Sequence, residues 1–373
     1  MGLTSHKVLA IAVLAALLVA AATVRGWPRL AAPGPRAVAG RIAALLATQL
    51  ALLLALGLAA NDWFSFYGSW DDLLGTAPGG PVTVTTGAPG DGLRVLGREP
   101  VRGGGAVGRE PAASGEIQAV RITGPRSGLS TDGYVYLPPQ YFRPEYAGRR
   151  FPAVLVMTGF PGDARNLITR LNYPGAALRL NLAGRMPPTV LVLLRPSPAM
   201  PADTECEDAP GGARAETYLA RDVPAAVAAG FRISPDPRSW AVMGNSTGGY
   251  CALKLAMRHP EVFPSAVALS GYYRAAEDAT TGDLFGGSPR RREEADLLWR
   301  LGHLPPPGIA VLLAGAERGD GDYLADTRAF AAAVRAPMSL ATATVPEGGH
   351  NFRTWGLLLP AALEWLAGRL RVS

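Results

Sequence analysis

Two long uncharged apolar runs open the chain, and short apolar runs alternating with amphipathic stretches fill its last two thirds. The long runs cover residues 8–24 and 42–60. As helices rising about 1.5 Å per residue, they would span roughly 26 and 28 Å, close to the hydrocarbon thickness of a bilayer. They therefore predict two transmembrane helices. A cleaved signal peptide is the alternative for the first run, since Lys7 precedes it, but the second run would then return the following region to the cytoplasm.

The charges around these runs predict the orientation of the membrane module. Only Lys7 precedes the first run, whereas four arginines lie between the two runs: Arg25, Arg29, Arg36 and Arg41. The positive-inside rule places this loop in the cytoplasm, so the N-terminus and everything after Ala60 lie outside. Residues 61–75 carry aromatic side chains that fit either an interfacial belt or the start of a soluble core: Trp63, Phe64, Phe66, Tyr67 and Trp70. We therefore predict a multi-pass protein of the cell membrane whose main domain is extracytoplasmic.

A change in composition near residue 117 predicts the domain boundaries. Residues 76–116 are rich in Gly, Pro, Thr and Ala with little apolar periodicity, which is typical of a flexible spacer. Helical stretches separate the strands predicted beyond it, at 117–123, 133–137, 153–158, 189–194, 239–243, 265–269, 309–314 and 340–345. Buried strands alternating with helices indicate a mainly parallel sheet covered on both faces. The predicted organisation is a membrane module (1–75), a linker (76–116) and one α/β domain (117–373).

Composition excludes several classes of protein. The formal net charge is +6, but residues 1–41 contribute five basic and no acidic residues, which leaves +1 for the rest. No basic surface for nucleic acid is therefore predicted. Two cysteines and four histidines are too few for zinc-finger arrays or iron–sulfur frameworks. With 48% apolar and 18% charged residues, the chain is not intrinsically disordered.

The segment that follows the strand predicted at 239–243 contains the most informative motif. An apolar strand leads into Gly244-Asn-Ser246-Thr-Gly248, and a helix begins near Gly249. This is the G-x-S-x-G nucleophile elbow in its required context of strand, sharp turn and helix. Neighbours with almost no side chain let the serine hydroxyl stand clear of the sheet, and the helix N-terminus favours developing negative charge. The motif predicts an α/β-hydrolase fold in which Ser246 is the nucleophile.

A nucleophilic serine needs a general base, and the chain offers four histidines. His6 precedes the first apolar run, His303 lies in a proline-rich loop, and His259 fits a C-terminal cap of the nucleophile helix. His350 follows the last predicted strand and precedes a terminal helix predicted over 357–369. Hydrolases with the chain order serine, acid, histidine present their base there. We predict His350 as the base, with a structural histidine as the alternative.

The triad acid should lie after the strand predicted at 309–314. The loop that follows holds three carboxylates, and either Asp or Glu can fix the tautomer of the imidazole and stabilise the imidazolium. We predict Asp320 as the acid, with Glu317 as the second choice and Asp322 as the third.

Two backbone amides should complete the site as an oxyanion hole. One is the N–H of Thr247, which follows the nucleophile, and the other belongs to the loop after the strand predicted at 153–158. Phe160 is the predicted donor in that loop, because Pro161 has no N–H. An ordinary strand-ending turn is the alternative for this loop.

The two cysteines allow two interpretations. Outside the membrane Cys206 and Cys251 can form a disulfide, which would hold the loop at 203–212 near the nucleophile helix. They can equally remain two separate thiols.

Three segments of the chain resemble the putative-esterase family that includes esterase D and the antigen 85 mycolyltransferases. They are Gly-Asn-Ser246-Thr-Gly-Gly with the following Ala-Met-Arg-His-Pro-Glu-Val-Phe and Ala-Leu-Ser-Gly, Glu216-Thr-Tyr-Leu, and Gly-Gly-His350-Asn-Phe-Arg-Thr-Trp355. The resemblance covers roughly 117–370. Among members of the family, the chain is similar in particular to actinobacterial membrane-anchored esterases. It implies a triad of Ser246, a loop carboxylate and His350, with Phe160 and Thr247 as the oxyanion pair. It implies an acyl ester as substrate, but not mycolyl transfer to trehalose.

The predicted function is therefore a serine esterase or acyltransferase that works through an acyl-enzyme and needs no metal or organic cofactor. Its predicted location suggests lipid or cell-envelope esters as substrates. A peptidase on the same fold is a second interpretation, although the chain offers no lid or propeller domain. A non-catalytic surface protein that uses the fold for adhesion or binding is the third.

Overall fold

The structure, a computed structural model, divides into two compact units, Met1–Thr83 and Val84–Ser373. It describes residues 5–64, 70, 92–101, 110–321 and 323–371. Within the predicted aromatic belt, Phe66, Tyr67 and the side chains of Trp63 and Phe64 lie outside this description, whereas the side chain of Trp70 is exposed.

In the first unit the structure describes two long helices, α1 (His6–Leu30) and α2 (Pro35–Phe64). The hydroxyls of Thr23 and Thr48 lie 2.9 Å apart and join the two helices. Both helices extend beyond the uncharged runs, because basic residues at the ends of an apolar segment can continue the helical backbone hydrogen bonds. By length and composition alone, both helices are able to cross a membrane.

The predicted linker is wrong in part, because β1 (Leu93–Pro100) lies inside it and pairs antiparallel with β2 (Glu116–Thr123). Most side chains of β1 are exposed, so backbone hydrogen bonds at the sheet edge hold it rather than an apolar face. A strand of this kind has no hydrophobic alternation for a sequence pattern to detect. The linker residues 76–91 and 102–109 lie outside the described residues.

All nine strands of the second unit that the structure describes belong to one sheet, in the order β1-β2-β3-β5-β4-β6-β7-β8-β9. Pairing is antiparallel from β1 through β3 to β5 and parallel across the remaining strands. The other strands are β3 (Ser130–Leu137), β4 (Ala153–Met157), β5 (Val190–Leu194), β6 (Trp240–Asn245), β7 (Ser265–Leu269), β8 (Ala310–Ala316) and β9 (Ser339–Val345). The predicted mainly parallel sheet is confirmed, and in the described residues β1 is the strand that the prediction missed.

Helices cover both faces of this sheet, and two apolar cores lie between the helices and the strands. The helices are α3 (Pro111–Ser114), α4 (Asn166–Thr169), α5 (Tyr173–Leu182), α6 (Ala215–Thr217), α7 (Val223–Gly230), α8 (Thr247–Arg258), α9 (Pro289–Ala295), α10 (Leu297–His303), α11 (Tyr323–Ala333) and α12 (Phe352–Ala367). A π-helical turn, Tyr218–Asp222, joins α6 to α7. The strands β4 to β7 are buried along their whole length, so the carboxyl ends of these parallel strands form a rigid edge on which loops are presented.

Candidate active site

Ser246 lies at the sharp turn between β6 and α8, on this carboxyl edge of the sheet. Its φ of 55° falls in the left-handed region, which costs a residue other than glycine about 1–3 kcal/mol. The N–H of Ser246 donates to the carbonyl of Leu269 at the end of β7, at 3.0 Å. The neighbouring strand therefore holds the strained turn that the motif predicts.

The two glycines of the elbow are required by close backbone contacts. A Cβ on Gly244 would lie 2.4 Å from the carbonyl carbon of Gly248. A Cβ on Gly248 would lie 2.3 Å from the carbonyl oxygen of Met157, the last residue of β4. Since real Cβ atoms do not approach backbone so closely, a side chain at either position would displace Ser246 from the sheet edge.

His350 joins Ser246 to Asp320 in a continuous chain of hydrogen bonds. Its Nε2 lies 2.8 Å from Ser246 Oγ, and its Nδ1 lies 2.8 Å from Asp320 Oδ1. An ionised carboxylate can only accept, so the hydrogen belongs on Nδ1, and Nε2 is left to accept the hydrogen of the Ser246 hydroxyl. This is the tautomer in which an imidazole can act as a general base toward the serine.

The structure brings Asp320, and not Glu317, to the histidine. Asp320 is 6% exposed, and the hydroxyl of Ser270 donates to its second carboxylate oxygen. Glu317 is exposed and accepts a hydrogen bond from Thr344 at 2.9 Å. Asp322, the third candidate, lies outside the described residues. The difference arises because β8 continues to Ala316, so Glu317 follows the strand directly and accepts from β9, whereas Asp320 lies further along the loop.

Two residues of the site were not assigned a role from the sequence. Ser270 follows β7 and donates to Asp320, as described above. The ring of Trp355, near the start of α12, meets the His350 ring edge to face at 5.1 Å and 88°. Both belong to segments that carry the family resemblance, but nothing in a sequence motif says that these side chains contact the acid and the base.

The predicted oxyanion loop lies beside the nucleophile. A Cβ on Gly159 would come within 2.9 Å of Ser246 Cβ, so the backbone that leads into Phe160 passes directly against the serine. Thr247 is the first residue of α8, and the first amides of a helix have no carbonyl partner within it. Both predicted donors are thus close to Ser246 in the chain or in space, and their role in binding an oxyanion stays a prediction.

A disulfide joins Cys206, in the loop after β5, to Cys251 in α8, with 5.7 Å between the Cα atoms. Both residues are completely buried. Of the two interpretations of these cysteines, the structure thus contains the pair, which attaches the loop at 203–212 to the nucleophile helix.

We expect replacement of both Cys206 and Cys251 by alanine to lower the free energy of unfolding. The disulfide closes a loop of 45 residues, for which the entropy treatment gives about 4 kcal/mol. Urea unfolding of the full chain in detergent, followed by tryptophan fluorescence, measures the difference. An equal midpoint for the reduced and oxidised wild-type protein would contradict this expectation.

The remaining histidines have partners other than Ser246. His259 is the C-terminal cap residue of α8, as predicted, and its ring nitrogen Nε2 lies 2.8 Å from Glu216 Oε1. Burial alone would raise the pKa of Glu216, but the hydrogen bond from His259 and the charges of Lys254 and Arg258 lower it to about 2. His303 is the last residue of α10 rather than part of a loop, because its Nδ1 bonds to the carbonyl of Trp299 within that helix. His6 lies at the start of α1, 3.7 Å from Asp62.

A cavity of 280 Å³ opens at the far end of α8 from Ser246, and charged residues line most of it. Glu216 and Arg258 form one of its ion pairs, at 2.8 Å, and Glu207 and Arg291 form another, at 3.1 Å. The acidic and basic side chains that line the cavity pair with one another. These ion pairs attach α8 to the loop after β5. Within the described residues, no group of three or more His, Cys, Asp or Glu side chains is placed to hold a metal ion.

One curated protein of similar sequence comes from a bacterium. An uncharacterized protein of Corynebacterium glutamicum is 26% identical over 247 residues, which are 64% of this chain and 57% of that relative. The chain thus spans little more than half the length of this curated relative.

Solved structures share the fold at low identity. An S-formylglutathione hydrolase of Agrobacterium tumefaciens is 18% identical with a TM-score of 0.57, over 69% of this chain and 96% of its own. A fluorophosphonate-binding serine hydrolase of Staphylococcus aureus is 16% identical with a TM-score of 0.55, over 68% and 98%. The Mycobacterium tuberculosis protein MPT51 is 19% identical with a TM-score of 0.52, over 67% and 97%.

The profile of the family described as Putative esterase matches residues 126–366, well over half of the chain. The match contains the β6–α8 elbow, the loop that carries Asp320 and the segment that carries His350. The chain therefore belongs to the Putative esterase family, with an α/β-hydrolase fold that follows two N-terminal apolar helices.

Proposed function

We propose that the protein is a membrane-anchored serine esterase or acyltransferase that acts on acyl esters through an acyl-enzyme. The observation that carries this proposal is the unbroken hydrogen-bonded chain from Ser246 through His350 to Asp320. A strained elbow, a base in the required tautomer and a buried acid are the parts that nucleophilic catalysis by serine needs.

The proposed reaction proceeds in two steps. Ser246 Oγ bonds to the ester carbonyl carbon while His350 Nε2 takes its proton, and the amides of Phe160 and Thr247 bind the negative oxygen. The bond to the leaving alcohol then breaks, and His350 gives the proton to that alcohol. Water or a sugar hydroxyl attacks the acyl carbon, His350 takes the proton of the attacking oxygen, and Ser246 Oγ leaves with that proton. The charge of Asp320 stabilises the imidazolium at each stage.

A panel of p-nitrophenyl esters tests this proposal with the full chain purified in detergent. We expect turnover that depends on acyl length, whereas the p-nitroanilides of the same acyl groups, which report peptidase chemistry, should remain uncleaved. Addition of glucose separates hydrolysis from transfer, because a transferase would form the sugar ester at the expense of the free acid. Absence of turnover with every ester would favour the non-catalytic binding protein instead.

The location of the domain is also part of the proposal: we infer that α1 and α2 form a membrane hairpin with the second unit outside the cytoplasm. The contact between Thr23 and Thr48 within the helices, and that between His6 and Asp62 near their outer ends, support an antiparallel hairpin. The arginines near the turn between the helices favour the cytoplasmic side for that turn. A buried disulfide in the second unit also fits an oxidising compartment.

Single-cysteine labelling of intact cells measures this orientation. Ala32, in the turn between α1 and α2, and Arg149, in the second unit, are both exposed. An impermeant maleimide should label Arg149→Cys in intact cells and Ala32→Cys only after permeabilisation, while the buried native pair stays unlabelled. The reverse pattern would place the domain in the cytoplasm and overturn this inference.

A further inference from the structure

Glu205 is a buried acid in a costly local environment. A contribution to the stability of the fold does not by itself explain why such a residue is there. It lies in the loop after β5, is completely buried and has a φ of 45°, followed by a φ of 51° at Cys206. Its Oε1 accepts a hydrogen bond from the hydroxyl of Tyr272 at 2.6 Å, and its Oε2 has no hydrogen-bond partner among the described residues. Two consecutive left-handed residues and a half-satisfied buried carboxyl are costly, and costly local arrangements concentrate at functional sites.

The loop that carries Glu205 is attached firmly to the nucleophile helix. Lys254 of α8 donates to the carbonyl of Glu205 at 3.1 Å and to the carboxylate of Glu207 at 2.6 Å. Between these two residues, Cys206 is bonded to Cys251 of the same helix. The carboxyl of Glu205 therefore has a fixed place relative to α8.

Tyr272 connects the carboxyl of Glu205 to the first turn of α8. Its ring stacks on Tyr250, in the first turn of that helix, at 5.1 Å and 14°. The preceding residue, Gly271, packs so closely on α8 that a Cβ on Gly249 would lie 3.0 Å from its Cα.

We propose that Glu205 is a positioning residue for the ester reaction, acting through Tyr272 to fix the first turn of α8 and the amide of Thr247. The inference rests on the proposed function. Burial, together with the nearby charge of Asp203, raises the pKa of Glu205 to about 8, so glutamine is a close neutral substitute for it. Glutamine keeps an oxygen that can accept from Tyr272, whereas leucine does not.

Four variants of the full chain test this role on a p-nitrophenyl ester. We expect Tyr272→Phe and Glu205→Leu each to lower kcat about tenfold with little change in KM, because a misplaced oxyanion donor weakens the transition state rather than binding. Glu205→Gln should restore kcat to near the wild-type value. The matched control is Tyr273→Phe, since the Tyr273 hydroxyl bonds instead to Thr327 of α11, and its kcat should be unchanged.

Thermal unfolding and the rate of fluorophosphonate labelling accompany the kinetics. Equal loss of Tm in Tyr272→Phe and Tyr273→Phe, with slower labelling only in Tyr272→Phe, supports positioning. If wild-type protein turns over the ester and Tyr272→Phe does so equally fast, Glu205 has no positioning role. A wild-type protein without any turnover or labelling would instead remove the proposed function itself, so the two failures are distinguishable. Because Glu205→Leu can lower stability through its buried site, Tyr272→Phe decides the outcome if that variant does not fold.

Discussion

Ser246→Ala should lower ester turnover by about 10⁶-fold, to the limit of detection, while the protein stays folded. The expected loss is this large because alanine removes the atom to which the acyl group bonds, so no acyl-enzyme can form. Stability should change little, since the left-handed backbone at this position strains serine and alanine alike. Hydrolysis of the best p-nitrophenyl ester, measured together with Tm, gives both quantities.

Ser239→Ala is the matched control for this substitution. Ser239 immediately precedes β6, so it lies at the opposite end of the strand from Ser246, and it is completely buried. Its hydroxyl bonds to Ser234 and to the carbonyl of Arg371, both remote from the sheet edge that carries the elbow. We expect this variant to lose some stability and to keep its activity. Comparable loss of turnover in the two variants would show that the effect of Ser246→Ala is structural.

Asp320→Asn should lower kcat by about 10⁴-fold. The amide of asparagine can donate to Nδ1 of His350, which places the imidazole hydrogen on Nε2 and prevents that atom from accepting the Ser246 proton. The geometry of the site would be retained, because asparagine has nearly the shape of aspartate and can still accept from Ser270. The measurement is kcat for the same ester, with a pH profile to detect hydroxide-driven turnover.

Glu317→Gln supplies the comparison on the same loop. Glu317 is exposed and bonds to Thr344 rather than to the histidine, so kcat should remain at the wild-type value. A large loss in this variant together with normal turnover in Asp320→Asn would transfer the role of the acid to Glu317.

The parallel strands β4 to β8 could be predicted from the sequence to within one or two residues, because burial on both faces leaves continuous apolar runs. The edge strand β1 could not, since its side chains are mostly exposed and its pairing is made by backbone groups. The helical stretch between β5 and β6 contains a π-helical turn at Tyr218–Asp222, which apolar periodicity does not reveal. The last helix begins at Phe352, five residues before the predicted start, because Asn351 caps it through Thr354.

In the site, too, the residues that lie in short sequence motifs could be predicted, whereas contacts between distant segments could not. Ser246 could be predicted because the elbow motif is short and contiguous. His350 could be predicted because it follows the last predicted strand, where this fold presents its base. The sequence ranks Asp320 ahead of Glu317 but holds no motif that separates the two, because the difference depends on how far β8 continues and on the position of Ser270, a residue 50 positions away. Glu205 carried no signal at all, since its contact with Tyr272 joins two loops without a motif.

Peptide mapping by mass spectrometry of the full chain after reaction with a fluorophosphonate tests the central claim most directly. That claim is that His350 activates the hydroxyl of Ser246 as a nucleophile. We predict a single adduct on the peptide that contains Ser246 in the wild-type protein, and a rate of adduct formation that collapses in His350→Gln. An adduct on another residue, or unchanged labelling of Ser246 without the imidazole, would contradict it.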